Sequence, residues 1–238
     1  MSFTADQMLA ALDKWGINFT RAFMAGDGST MKLLSGLLGG WLPRQRWFPV
    51  KSAEFSFEPA GGLSLAGAPG AASGTAELEV LLLAVSYPTP DGSRTDVVQV
   101  PLSIRRAPLA GAEPALIGEM SGTGPAGTPE ARWIYDGVHD PAFIAAWLEL
   151  MRTGGTTTTG NAAGHLVESG FRLPRATGLV KVLTGEQSNS SVIVDDAESA
   201  AILKFFRVLS DGDTAPMSRP IGEWMRPMSL SVKPRSVS

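Results

Sequence analysis

Cysteine is absent from the 238-residue sequence. The chain therefore has no disulfide framework, no thiolate nucleophile and no zinc site built on cysteine, which suits the cytoplasmic location that we predict. It also lacks any run approaching the roughly 18 consecutive apolar residues that indicate a membrane span. The first residues, MSFTADQMLAALDKWG, include Asp6 and Asp13 and do not have the basic start of a signal peptide. We expect no membrane association.

An excess of charge of one sign is missing too. The formal net charge is -3, and lysine and arginine are scattered along the chain. Such a distribution gives no basic footprint, so we expect no nucleic-acid partner. A hydrophobic content of 44% with 18% charged residues is typical of a globular protein. The 27 glycines and 17 prolines indicate that much of this chain is strand, turn and loop.

Hydrophobic periodicity predicts an α+β fold. Apolar residues at helical spacing predict helices over 6–15 and 30–41, after which the period becomes that of strands. Asp91-Gly92 is a strong hairpin signal between two of those strands. The predicted strands of this first part lie around 55–57, 78–85, 97–104, 116–120 and 131–137.

The second half begins with a helix start, because Asp140 is a good N-cap and Pro141 suits the first helical position. The helix runs to about Arg152 and is followed by TGGTTTTGNAAG, which reads as a linker or surface loop. Three strands are then expected at 177–183, 191–194 and 200–208. Residues 211–238 show no period and are expected to be disordered or poorly packed.

The stretch TGEQSNSSVIVDD, 184–196, is a candidate phosphate-binding loop running into a strand. Small residues let the backbone approach an anion, and amide or hydroxyl groups can donate to it. Lys204 follows in the next predicted strand, where a lone lysine among apolar residues is costly unless it is paired or binds an anion. A lysine reaching water from an edge strand is an equal alternative. The candidate loop residues are Gly185, Gln187, Ser188, Asn189, Ser190 and Ser191.

Two other clusters admit functional and structural interpretations. In WLPRQRWFPVK, 41–51, cations alternate with aromatic residues, which fits a carbohydrate or phosphate surface. We favour a helix C-terminus whose cations meet the helix dipole while the aromatic rings fill the core. His139 and His165 with Asp136 and Asp140 could suggest a metal site, but their position at a turn and an N-cap favours a structural role.

Taken together and in this order, WLPRQRWFPVK and LTGEQSNSSVIV...AILKFFRVLSDGD resemble the maltokinase family over residues 31–213. The resemblance implies an antiparallel β-rich cap domain with flanking helices, followed by a partial protein-kinase-like N-lobe. It implies transfer of the ATP γ-phosphoryl group to maltose, giving maltose 1-phosphate, with Mg²⁺ as second cofactor. Trehalose synthase is a further partner that it suggests.

Position by position, the resemblance makes 185–191 the loop that covers the phosphates, and Lys204 the strand lysine that pairs with them. It assigns Gln45, Arg46, Trp47, Phe48 and Lys51 to the cap signature, with a structural role at the contact between cap and lobe. The implied boundaries are a cap at 1–110, intermediate strands, helix and linker at 111–175, a partial N-lobe at 176–210, and a non-native or disordered tail at 211–238.

The chain departs from the family after Asp213, where Thr-Ala-Pro-Met-Ser-Arg-Pro replaces an Asn-Pro-Asp-x-Glu-like segment. Residues 205–238 contain no histidine and no asparagine, so no catalytic residue or magnesium ligand is predicted here, and we expect this chain to be inactive alone. A neighbouring reading frame of permitted codons at Ala215 would encode Pro-Asp-Val-Glu, which suggests a frameshift. The alternatives are a truncated pseudokinase that binds nucleotide or a partner, and a glucosamine kinase of the same architecture.

Overall fold

The computed structural model describes residues 28–50, 54–67, 76–123, 129–155, 172–183, 189–209 and 232–234. The predicted helix at 6–15 lies outside them. The helices are α1 (Gly28–Trp41) and α2 (Pro141–Thr153). The strands are β1 (Ser56–Leu65), β2 (Ala76–Thr89), β3 (Gly92–Arg105), β4 (Leu116–Thr123), β5 (Pro129–Asp136), β6 (Leu179–Leu183), β7 (Asn189–Asp195), β8 (Ala200–Phe206), β9 (Val208–Leu209) and β10 (Val232–Pro234).

The first sheet is antiparallel and has the strand order β1-β2-β3-β5-β4, with β9 paired to β3. The long strands β2 and β3 form the predicted hairpin, in which Thr89 is opposite Gly92. Gly92 has φ 131°, a conformation that favours glycine, and this explains why Asp91-Gly92 closes the turn. The sheet continues past residue 110, the predicted end of the cap, because β4 and β5 belong to it.

The second sheet is also antiparallel, with the order β10-β8-β7-β6. Strands β6, β7 and β8 are the three predicted for 177–208, so the α+β class is confirmed. The predicted tail contributes β10, whose Val232 is opposite Leu203 of β8. These three residues belong to the second sheet, because β10 pairs with β8. Residues 210–231 and 235–238 lie outside the described residues.

Helix α1 covers one face of the first sheet. Its apolar residues recur every three or four positions, so they form one buried stripe. Alternate residues of β2 point to opposite faces, and Leu81, Leu83 and Val85 belong to the same hydrophobic cluster as the buried residues of α1. Strand β2 is buried on both faces, which accounts for its continuous apolar run. The buried α1 residues are Leu33, Leu34, Leu38 and Trp41.

Helix α2 lies in the core between the two sheets. Asp140 caps it by accepting a hydrogen bond from Ala142 N at 2.8 Å, as predicted, and Gly154 ends it with φ 62°. Its ring side chains, Phe143 and Trp147, are stacked and meet Phe205 of β8. One hydrophobic cluster therefore joins the helix and both sheets. The strand residues in it are Leu63, Leu65, Leu78 and Val80 from β1 and β2, and Val192, Val194, Leu203 and Phe205 from β7 and β8.

Candidate functional site

The predicted phosphate-binding residues divide between described and undescribed parts of the chain. Gly185, Gln187 and Ser188 lie in 184–188, outside the described residues. Asn189 begins β7 opposite Phe206. Ser190 and Ser191 follow it in the strand, where successive side chains point to opposite faces of the sheet. These two serines therefore have different surroundings.

Ser191 and Lys204 are directly opposite each other on β7 and β8, and so share a face of the second sheet. This face is the open one: Phe206 on it is 39% exposed, Ile202 is half-buried, and Lys181 of β6 is exposed. The expectation that Lys204 interrupts a fully buried strand is wrong on this side, because only Ala201, Leu203 and Phe205 face the core. Lys204 itself is half-buried.

A lysine beside a hydroxyl on an accessible sheet face is suited to an anionic ligand. The ammonium group supplies a positive point charge, and the serine can donate a hydrogen bond. Ser191 is 2% exposed, so it lies at the base of this face and Lys204 lies nearer to solvent.

Ser190 lies on the opposite face, toward the core, and is 8% exposed. Its Oγ accepts a hydrogen bond from Arg207 Nε at 2.8 Å. Arg207 is 0% exposed, and its Nη2 donates to Asp136 Oδ2 at 2.6 Å. The guanidinium also lies over the ring of Trp47, with Cζ 4.9 Å from the ring centroid. We call these four residues the Arg207 junction.

Arg207 stands where the chain passes from the second sheet to the first. Strand β8 ends at Phe206, and β9 begins at Val208 and pairs with β3. Gln99 of β3 fixes this crossing: its backbone N donates to Arg207 O at 2.9 Å, and its side chain donates to Phe206 O. Sequence reasoning missed Arg207. The available signal was a single arginine inside the apolar run 201–209.

The aromatic residues of 41–51 are core residues, as we favoured. Trp47 is 7% exposed and Phe48 is 1% exposed, whereas Arg44 and Arg46 are exposed. Trp47 makes edge contacts with Trp41 and Phe48, at centroid distances of 5.8 and 6.1 Å. Through Arg207, Trp47 also contacts the chain beyond the first sheet, which is the structural role predicted for this signature. Lys51 lies outside the described residues.

Comparison with known protein families now bears directly on these residues. Residues 41–140 match the family described as the maltokinase N-terminal cap domain. This part of the chain is a maltokinase N-terminal cap domain. The matched segment begins at Trp41 and ends at Asp140, the N-cap of α2. It supplies Trp47 and Asp136 to the Arg207 junction, whereas Ser190, Arg207 and Lys204 follow the cap.

The two acidic residues at the end of the cap bind arginines. Asp136 pairs with Arg207, and Asp140 accepts two hydrogen bonds from Arg105 of β3, at 2.6 and 2.8 Å. Asp140 also accepts from Ser103 and is 0% exposed. These contacts tie α2 and the last cap strand to β3. The hydrogen bond to Asp140 raises the pKa of Arg105 above its ordinary value.

A metal site was the alternative interpretation for these acids. Within the described parts of the chain, no group of three or more His, Asp or Glu residues could hold a metal ion. His165 lies outside the described residues. Neither described helix is long and apolar enough to cross a membrane.

Proposed function

We propose that this chain is the cap and nucleotide-binding part of a sugar kinase that phosphorylates maltose with ATP, giving maltose 1-phosphate. The observation that carries the proposal is the position of Lys204 opposite Ser191, on the open face of a sheet that follows a maltokinase cap in the chain. Phosphoryl transfer depends on positioning and charge stabilisation, and a strand lysine supplies one of the positive charges that it needs.

The nucleotide would lie against the open face of the second sheet. Phe206, Ile202 and Ile193 give this face apolar surface for a base, and Lys204 supplies the charge for its phosphates. Gly185, Gln187, Ser188, Asn189 and Ser191 complete the proposed phosphate site. The described residues offer no metal-binding group, so magnesium enters this proposal only as the counter-ion of ATP.

The test is ATP binding by the purified chain and by a Lys204→Met variant, measured by isothermal titration calorimetry. Lys181→Met is the matched control, because Lys181 is an exposed lysine on the same face, one strand further away. Loss of a charge-assisted contact to phosphate should weaken binding by about tenfold or more. We expect this loss for Lys204→Met and none for Lys181→Met. Equal affinities for the two variants would contradict the proposal.

A second candidate is binding without chemistry, as in a truncated pseudokinase. Binding alone needs only a site for the phosphates, and the described residues already place Ser191 opposite Lys204 for it. Incubating the chain with ATP, Mg²⁺ and either maltose or glucosamine separates the candidates. Sugar phosphate that forms with the chain and not with Lys204→Met shows a kinase and names its acceptor. Nucleotide binding with no product favours the binding module.

A further inference from the structure

The hydroxyl of Ser190 points toward the core of the protein. Its Oγ accepts from Arg207 Nε at 2.8 Å, and the residue is 8% exposed on the face opposite Lys204. A ligand on the open face has the sheet between itself and this side chain. The serine that the sequence placed among the phosphate ligands is therefore directed toward the cap.

Among the described residues, the groups that balance the charge of Arg207 are the carboxylate of Asp136 and the ring of Trp47. The arginine is 0% exposed, so its charge must be compensated within the protein. Nε and Nη2 share one edge of the guanidinium, and that edge holds Ser190 and Asp136 together. Asp136 comes from the last strand of the cap, and Ser190 precedes Ser191 in β7.

We propose that the Arg207 junction is a positioning device: Asp136 of the cap holds Arg207, and Arg207 holds the start of β7, so that Ser191 and Lys204 face the phosphates in register. Ser190 is then an anchor and not a phosphate ligand. Arg207 follows Lys204 by three residues, and Ser190 precedes Ser191 by one, so the junction fixes both strands beside the site. This inference rests on the proposed nucleotide binding and adds how the cap controls it.

The test compares affinities for ATP and AMP in Ser190→Ala, Asp136→Asn and the double variant. A misplaced phosphate site weakens ATP binding and leaves AMP, which carries one phosphate, nearly unchanged; loss of folded protein lowers both equally. We expect each single variant to lower the ratio of ATP to AMP affinity by about fivefold. The ratio should fall no further in the double variant than in the more strongly affected single variant, because both substitutions break the same chain of contacts.

Ser86→Ala and Asp91→Asn are the controls. Ser86 bonds to Thr95 within the cap hairpin, and Asp91 is exposed at its turn, so both lie apart from the junction. Their ratio should stay within about twofold of the parent chain.

Four results would overturn the inference. An unchanged ratio in Ser190→Ala, which leaves the Arg207–Asp136 pair in place, removes the anchor even if Asp136→Asn does not fold. Losses that multiply in the double variant show independent contacts. If Lys204→Met binds ATP as tightly as the parent chain, the proposed function fails and this inference fails with it. A normal effect at Lys204 with no effect at Ser190 and Asp136 refutes the positioning device alone.

Discussion

At the scale of single residues, two acid–arginine pairs fix the end of the cap: Asp140 pairs with the half-buried Arg105 inside the cap, and Asp136 pairs with the buried Arg207 beyond it. Asp140 is 0% exposed and accepts hydrogen bonds from Arg105 Nε and Nη2. Asp136 accepts a hydrogen bond from Arg207 Nη2. Removing one partner of such a pair leaves an uncompensated charge in the core. Arg207 Nη1 and Asp136 Oδ1 have no hydrogen-bond partner, so the second pair is less completely satisfied than the first.

Asp140→Asn tests the first pair. The amide oxygen can still cap α2 at Ala142 N, but the charge that balances Arg105 is lost. Because Arg105 is half-buried and water can reach it, we expect the free energy of unfolding to fall by about 1–3 kcal/mol. Urea denaturation followed by circular dichroism measures this. Asp91→Asn, on the exposed hairpin turn, should change stability by less than about 0.5 kcal/mol. Similar losses of stability in both variants would show that Asp140 does not make this contribution to the free energy of unfolding.

At the scale of elements, strand alternation explains the different surroundings of neighbouring residues. Strand β8 is buried on the side of Leu203 and open on the side of Lys204, and β7 divides Ser190 from Ser191 in the same way. Helix α1 buries one stripe and leaves Gly36 exposed in its middle. The turn between β5 and α2 is tighter: a Cβ on Gly137 would lie 2.8 Å from Phe143 Cδ2.

Substituting alanine for these two glycines should change the free energy of unfolding in opposite directions. Gly36→Ala should raise the free energy of unfolding by about 0.5–1 kcal/mol, because alanine favours helix and its Cβ meets nothing within 4 Å. Gly137→Ala should lower it by about 1–3 kcal/mol, because the methyl group overpacks the core against Phe143 and the Leu102 backbone. Thermal and urea unfolding of both variants measures the difference. Effects of the same sign would contradict this account.

At the scale of the whole molecule, the cap and the second sheet share one of the hydrophobic clusters, the one around helix α2. A domain that folds alone has its own core, whereas the cluster around Phe143 and Trp147 draws residues from β1, β2, β7 and β8. Strand β9 adds a backbone connection to β3. The first and second sheets are therefore joined by side-chain packing and by backbone pairing.

We expect the two sheets to unfold in one transition. Native-state hydrogen exchange read by mass spectrometry should give peptides from β2–β3 and β7–β8 the same opening free energy, and mild denaturant should lower both together. Arg207→Met should lower both values equally, since the junction joins the sheets. Opening of β7–β8 well before β2–β3 would show that the second sheet is an independent unit.

Local signals in the sequence are enough to predict most of the helices and strands of the described residues. Alternation, the Asp91-Gly92 turn and the Asp140-Pro141 cap are local signals, and each element that they predict in the described residues is present. WLPRQRWFPVK and LTGEQSNSSVIV together carry the resemblance to the maltokinase family, whose cap model matches residues 41–140. Tertiary structure alone decided which faces meet. It directed Ser190 inward and Lys204 outward, gave Asp136 and Asp140 arginine partners, and buried Arg207 between two sheets. Such pairings join residues as far apart as 136 and 207, and no local periodicity records them.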